Sequence, residues 1–263
     1  MKVLITGCST GFGREAAIEL ARRGHQVVAT ARRPETLADL DVSSRLALDV
    51  DSDESVSEAV AQAGEIDALV NNAGWSAHGP IEKVPLQEVR RMFETNFFGA
   101  ARMIQAIAPK MRARKRGVIV NVSSMAGRVA APLMGFYAAS KFALEGLSEA
   151  LQFELGHFGI RVVVIEPGFV KSSFRANSAR YGTDDAPYDE LQRAWAGSDE
   201  ALIGGERPGP EIVGIAIADA VEDERTPLRR PVGNDAELVL KARGSLDDAA
   251  FEEAMRGMLK IQW

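Results

Sequence analysis

Cysteine is almost missing from this chain. Cys8 is the only one in 263 residues, which excludes an intrachain disulfide framework. Histidine is nearly as scarce, and His25, His78 and His157 show no ligand spacing, so no metal site is expected. There is no surplus of positive charge. A net charge of −6 argues against nucleic acid or an anionic membrane as the main partner. Long apolar runs are absent too. The opening MKVLITG reaches glycine directly after VLIT, too short a stretch for a signal-peptide core or a membrane span, and a cytoplasmic protein is expected. No internal repeat or low-complexity tract interrupts the chain. A composition 46% apolar and 26% charged is that of a globular, enzyme-sized protein.

What is present is a rhythm. Short runs dense in Val and Ile, such as KVLIT (2–6), HQVVATA (25–31), GVIVNVS (117–123) and IRVVVIEPG (160–168), alternate with stretches that carry an apolar helical stripe. The runs lack strict polar alternation, which suits strands buried on both faces. Strand and helix in turn predict an α/β fold, a doubly wound parallel sheet of the Rossmann type, in one domain over 1–263. After EPG (166–168) the rhythm fails. Residues 171–210 are rich in Ser, Gly, Asp and Pro, with Phe174, Tyr181, Tyr188 and Trp195 spread through them. Long irregular segments in compact α/β domains are usually functional or disordered. The spaced aromatics favour a lid over a pocket, and the plainer alternative is a surface excursion with its own small core. A last helix, a short strand near RPVG and a helical tail are expected to complete the chain.

The loop TGCSTGFG (6–13) lies between the first strand and the first helix. In that setting Gly7 permits a tight turn, Gly11 lets backbone approach a pyrophosphate, and Gly13 allows close helix–strand packing. Ser9, Thr10 and Phe12 belong to the same cradle, whose free N–H groups face the anion. The second strand ends ATARRPE. Where many NAD sites carry an acid for the ribose, this chain has Ala31, followed by Arg32 and Arg33. Arginine pairs with a 2′-phosphate, so NADP(H) is the favoured cofactor and NAD(H) the second choice. In GFYAASKFALEG (135–146), Tyr137 and Lys141 are four apart and share one helical face. A cation at ~4 Å, with effective dielectric ~20, favours phenolate by ~4 kcal/mol, so Tyr137 is expected to titrate near working pH.

TGCSTGFG, NNAG (71–74), the Asn of FETNFFG, VSS (122–124), YAASK (137–141) and EPG together resemble the short single-domain branch of the short-chain dehydrogenases/reductases, in its order and spacing over about the first 175 residues. The first of these and ATARRPETL look most like its NADP-preferring cluster of retinol, hydroxysteroid and carbonyl reductases. The resemblance implies hydride transfer between a nicotinamide cofactor and a ketone, aldehyde or alcohol. It makes Tyr137 the acid/base, Lys141 the holder of the nicotinamide ribose, Ser124 the donor to the substrate oxygen, and Asn96 the residue of a proton-relay water. It gives Asp49 and Val50 to the adenine, Asn72, Ala73 and Gly74 to the cofactor cleft, and Pro167, Gly168 and Val170 to the nicotinamide. Ser172 stands where the family often has threonine, keeping the hydroxyl without the methyl, and Phe12 stands where isoleucine is usual. It further implies a homodimer or homotetramer through the long helices around 86–112 and 137–156.

Each residue has a plainer role. Tyr and Lys at this spacing are usually surface neighbours, a serine pair after a strand is usually a cap, and Asn96 can simply bond backbone or permit a helix kink. A nucleotide-binding protein without turnover, or an epimerase or dehydratase on the same fold, are the rival functions. Trp75, His78, Met134, Phe136, Phe169 and Phe174 are the candidate substrate contacts by position, and they suggest a bulky, apolar small molecule.

Overall fold

The computed structural model describes residues 1–171, 174, 178–182, 186–196 and 206–259. Its centre is a parallel sheet. Strands β1 (Lys2–Ile5), β2 (Gln26–Ala31), β3 (Ser44–Ala47), β4 (Ala68–Asn71), β6 (Gly117–Val122), β7 (Ile160–Pro167) and β9 (Arg229–Val232) lie in the order β3-β2-β1-β4-β6-β7-β9. Two short strands, β5 (Ala77–His78) and β8 (Ala179–Arg180), pair in parallel outside it. This is the doubly wound Rossmann-type architecture expected from the alternating apolar runs.

Burial on both faces explains the Val/Ile density. On one face, Val3, Ile5, Val27 and Val120 pack against α1 (Gly11–Arg22) and α7 (Glu211–Glu222). On the other, Leu4, Val28, Leu69 and Ile119 pack against α2 (Asp53–Ala63), α4 (Ala100–Arg114) and α5 (Gly135–Gly156). Each such side chain contributes up to about 1.5–3 kcal/mol by leaving water. One polar seam crosses the second face: Asn71 donates to Asn121 across β4 and β6, and Asn121 donates to Ser148 on α5. The seam fixes where α5 sits along the sheet, and α5 carries Tyr137.

The stretch expected as one helix around 86–112 is α3 (Leu86–Phe93) and α4 joined by a wider π turn, Glu94–Gly99. Among the described residues, further helices are α6 (Asp189–Ala196), α8 (Asn234–Ser245) and α9 (Asp248–Leu259). Of the segment expected as a lid, much lies outside the described residues. No described helix is long and apolar enough to cross a membrane.

Candidate active site

The β1–α1 loop turns through Gly7 (φ 73°) and Gly11 (φ 63°), a backbone region that strains any other residue. Space restricts the loop as well. A Cβ on Gly7 would stand 3.0 Å from Ala73 Cα, and one on Gly13 would stand 2.3 Å from Asn72 Nδ2. Thr10 precedes α1 without a side-chain capping bond, and the first turn holds no acid. Its amides are therefore available to an anion, and the chain fits a dinucleotide pyrophosphate there. Cys8 is buried within the loop, and burial pushes its thiol up to about 12, which leaves it an inert spacer.

Thr6 is a residue that sequence reasoning missed. Its hydroxyl accepts from the backbone N–H of Asn72 and of Ala73, both at 2.9 Å, while Asn72 Nδ2 donates back to the carbonyls of Thr6 and Gly7. The glycine loop and the NNAG turn are one hydrogen-bonded unit. The T preceding the loop and the N of the turn were the available signal, readable only once β1 and β4 were known to be neighbours.

This unit floors a cleft of about 750 Å³. All the residues expected to hold a cofactor line it, except Gly13, Arg33 and Ser172. Gly13 instead packs under Asn72, as its close-packing role required. Ser172 lies outside the described residues. Arg33 corrects the expectation of a two-arginine site. It precedes the 3₁₀ turn Pro34–Leu37, its carbonyl accepts from Thr36, and its exposed side chain does not line the cleft. Arg32 alone lies on the wall beside Ala31.

On the opposite wall, Tyr137 in the first turn of α5 and Lys141 one turn on are both buried, with Lys141 Nζ 6.0 Å from the phenol ring centroid. Lys141 Nζ donates to the Val122 carbonyl at 2.9 Å. Ser124 caps the 3₁₀ turn Met125–Gly127, accepting from the Ala126 N–H at 3.1 Å. Its hydroxyl reaches the Pro167 carbonyl at 3.4 Å. The phenol is not tuned as the bare Coulomb argument expects. Burial pushes Tyr137 up to about 12, with only Ser124 opposing, and pulls Lys141 down to about 8, with Glu145 opposing. Near neutral pH the pair is phenol and ammonium.

Asn96 is buried in the π turn and does not line the cleft. Its Oδ1 accepts from the Trp75 N–H, and its Nδ2 donates to the Trp75 carbonyl and to Ser140 on α5. Its side chain thus clamps Trp75 and α5, the plainer of its two readings.

Beyond Tyr137 the cleft wall is rich in aromatic and apolar side chains, with Glu88, Arg91 and Arg207 also on it. Trp75, His78, Met134, Phe169 and Phe174 line it, and the Phe174 ring lies 5.8 Å from that of Tyr137. Phe136 does not line it and packs into the adjoining cluster instead. One residue on a helix is a rotation of about 100°, which turns Phe136 toward the packing behind Tyr137. Trp195 of α6, one of the aromatics expected over a pocket, lines the cleft, and so do Val239 of α8 and Met255 of α9, to which the sequence did not point. Trp195 meets Phe169 with ring centroids 6.2 Å apart.

The short chain dehydrogenase family profile matches residues 1–181. The chain is 37% identical to a 3-ketodihydrosphingosine reductase of Bacteroides thetaiotaomicron, over 97% of this chain and 96% of that protein. It is 38% identical to a bovine retinol dehydrogenase 8, over 87% of this chain and 80% of that one. Among solved structures, a short-chain dehydrogenase from Streptomyces avermitilis superposes with TM-score 0.80 at 34% identity, covering 97% of this chain and 98% of that one. One from Burkholderia cenocepacia, solved in complex with NADP, superposes at 0.78 with 25% identity over 99% and 98%. The glycine cradle, the Tyr–Lys wall and these likenesses agree, and the chain belongs to the short-chain dehydrogenase/reductase family of oxidoreductases.

Proposed function

We propose that this protein is an NADP(H)-dependent oxidoreductase that interconverts a carbonyl and an alcohol on a bulky, apolar small molecule, with Tyr137 as acid/base. The observation that carries the reading is convergence: Tyr137, Lys141 and Ser124 share one cleft with the glycine cradle, at the junction with an apolar chamber. Bound NADPH supplies the hydride. Tyr137, a phenol at neutral pH, gives its Oη proton to the substrate oxygen. Ser124 Oγ donates to that oxygen and stabilises its developing negative charge. Lys141, held as an ammonium against the Val122 carbonyl, binds the cofactor ribose and keeps positive charge beside the phenol as the proton leaves.

Arg32 on the cleft wall, with no acid at the end of β2, supports NADP(H) over NAD(H). The Burkholderia neighbour, solved in complex with NADP, agrees. The chamber of Trp75, Phe174, Trp195 and Met255 supports a lipid-like substrate, and the relatives' names, a ketodihydrosphingosine reductase and a retinol dehydrogenase, point the same way. The proposal includes a homodimer or homotetramer, supported by exposed Phe98, Phe142 and Phe153 on the π turn and α5. The test of function is a panel of long-chain 3-keto compounds, retinoids, steroids and aryl ketones with NADPH and NADH, read by loss of nicotinamide absorbance. Turnover of apolar carbonyls with NADPH is expected; no turnover of any member, with tight NADPH binding, would favour a nucleotide-binding protein without chemistry.

A further inference from the structure

Behind the cleft wall lie two buried carboxylic acids that the proposed chemistry does not use. Glu145 stands on α5 one turn beyond Lys141, and Glu166 stands on β7 next to Pro167, with exposures of 4% and 0%. Neither lines the cleft. Both oxygens of Glu166 and Oε1 of Glu145 lack any hydrogen-bond partner, as does the hydroxyl of Ser123. Ser123 Oγ and Glu145 Oε1 crowd the same spot, each within 3.2 Å of where a Cβ on Gly127 would fall.

Two arginines face these acids. Arg229 Nε on β9 donates to Glu145 Oε2 at 2.9 Å and lies 4.0 Å from Glu166 Oε1. Arg128, just past the 3₁₀ turn, approaches Glu166 Oε1 to 3.6 Å. Arg229 also pairs through its other arm with Glu149, which is largely exposed. Arg230 points to the other face of β9 and pairs with Asp219. Lys141 and Glu149 on α5, Arg128 and Arg229 are thus the charged groups facing the two acids.

The arrangement is costly if both acids are ionised. Glu145 Oε2 lies 2.9 Å and Glu166 Oε1 4.0 Å from the same nitrogen, Arg229 Nε, so the two carboxyls depend on one guanidinium. The Ser123 hydroxyl lies against Glu145 Oε1, but both oxygens of Glu166 lack a close hydrogen bond, with Arg128 no nearer than 3.6 Å, in an interior where an unmet acceptor is expensive and like charges repel. One proton on the pair relieves both costs, because a neutral carboxyl is cheaper to bury and does not repel the carboxylate that remains. We infer that Glu145 and Glu166 share one proton at neutral pH, and that the single negative charge left on the pair holds Lys141 as an ammonium. They are positioning residues, and the inference takes its importance from the role proposed for Lys141. Burial raises both acids, Glu166 to about 7 with Glu145 adding to the rise, while Glu145 is the one group that opposes the fall of Lys141.

The test needs no substrate. Protein labelled with ¹³C at the glutamate carboxyls and lysine Cε is titrated by NMR as wild type, Glu166→Gln and Glu145→Gln. In wild type, one carboxyl of the pair is expected to titrate near 7 rather than in the ordinary range of about 4 to 5. In Glu166→Gln, the midpoint of Glu145 should fall, its neighbour's charge having gone. In Glu145→Gln, the midpoint of Lys141 should fall below its wild-type value. Thermal melting gives an independent reading if Glu145→Gln does not fold. With Glu166 raised from 4.5 to about 7, the folded state binds the extra proton across that window, so stability falls as pH rises through it. Glu166→Gln cannot ionise and should lose that fall. Two carboxyls titrating in the ordinary range would overturn the shared proton, and an unmoved Lys141 in Glu145→Gln would overturn its effect on the lysine. Neither outcome depends on whether the protein reduces a carbonyl.

Discussion

The floor of the cleft is assembled from short segments at the carboxyl ends of neighbouring strands, whereas its apolar end draws on residues as far apart as Trp75, Trp195 and Met255. The floor is held by backbone geometry and by hydrogen bonds with no slack: Gly7 at positive φ, Gly13 pressed on Asn72, Thr6 bound to two amides. The apolar end is held by side-chain packing between α6, α8, α9 and the turn after β6. Packing tolerates substitution when volume is kept, whereas a hydrogen-bonded turn does not. The comparison therefore predicts that floor variants lose the cofactor while variants at the far end change only which substrate is used.

The largest effect should come from Thr6→Val, which keeps the shape and removes the acceptor for two amides. Each unmet buried N–H costs about 1–3 kcal/mol, so the variant should lose roughly 2–6 kcal/mol of stability in denaturant titration and bind NADPH poorly. Near-normal stability would show that the two turns are not one unit. Next comes Arg32→Ala. A hydrogen bond to a charged group contributes about 1.5–3 kcal/mol, so NADPH affinity should fall roughly 10- to 150-fold with NADH affinity nearly unchanged. Arg33→Ala should do little, since that side chain does not line the cleft. Equal loss for both cofactors in Arg32→Ala would remove the 2′-phosphate assignment.

The pH dependence of reduction should be smaller. Lys141, pulled down to about 8, is charged below that pH and neutral above it, so kcat/KM for NADPH should drop about tenfold from pH 7 to pH 9. A flat profile would mean that the ammonium is not needed. The smallest effect is expected from Met255→Ala, at the far end. Loss of part of one apolar side chain should raise KM about fivefold for long apolar substrates and leave NADPH affinity alone. A change in cofactor affinity would break the division between the two ends.

The same contrast explains what could be read from the sequence. The strands, the glycine loop and the Tyr137–Lys141 pair were legible because each is a local pattern: β-branched runs, three glycines at fixed spacing, two residues one helical turn apart. Arg33 was misread because adjacent arginines look alike until the chain enters the turn at Pro34. Phe136 was misread because position near Tyr137 says nothing of which helical face is used. The side-chain bonds of Asn96 to Trp75 and Ser140 depend on tertiary packing and left no mark in the local pattern. Met255 carried no local signal and Trp195 only that of a spaced aromatic in 171–210, since tertiary packing is what brings α6 and α9 to the cleft. Burial was invisible too, and it reversed the expected direction for the Tyr137 phenol.

Tyr137→Phe tests the central claim most directly, because it removes one hydroxyl and leaves the ring free to pack against Phe174 as before. Single-turnover reduction of an apolar carbonyl is measured on wild type and variant, each loaded with NADPH, together with the NADPH Kd. The proton-donor role predicts a rate at least about 100-fold lower with a Kd within a few-fold of wild type. A variant that reduces the carbonyl at close to the wild-type rate would contradict it.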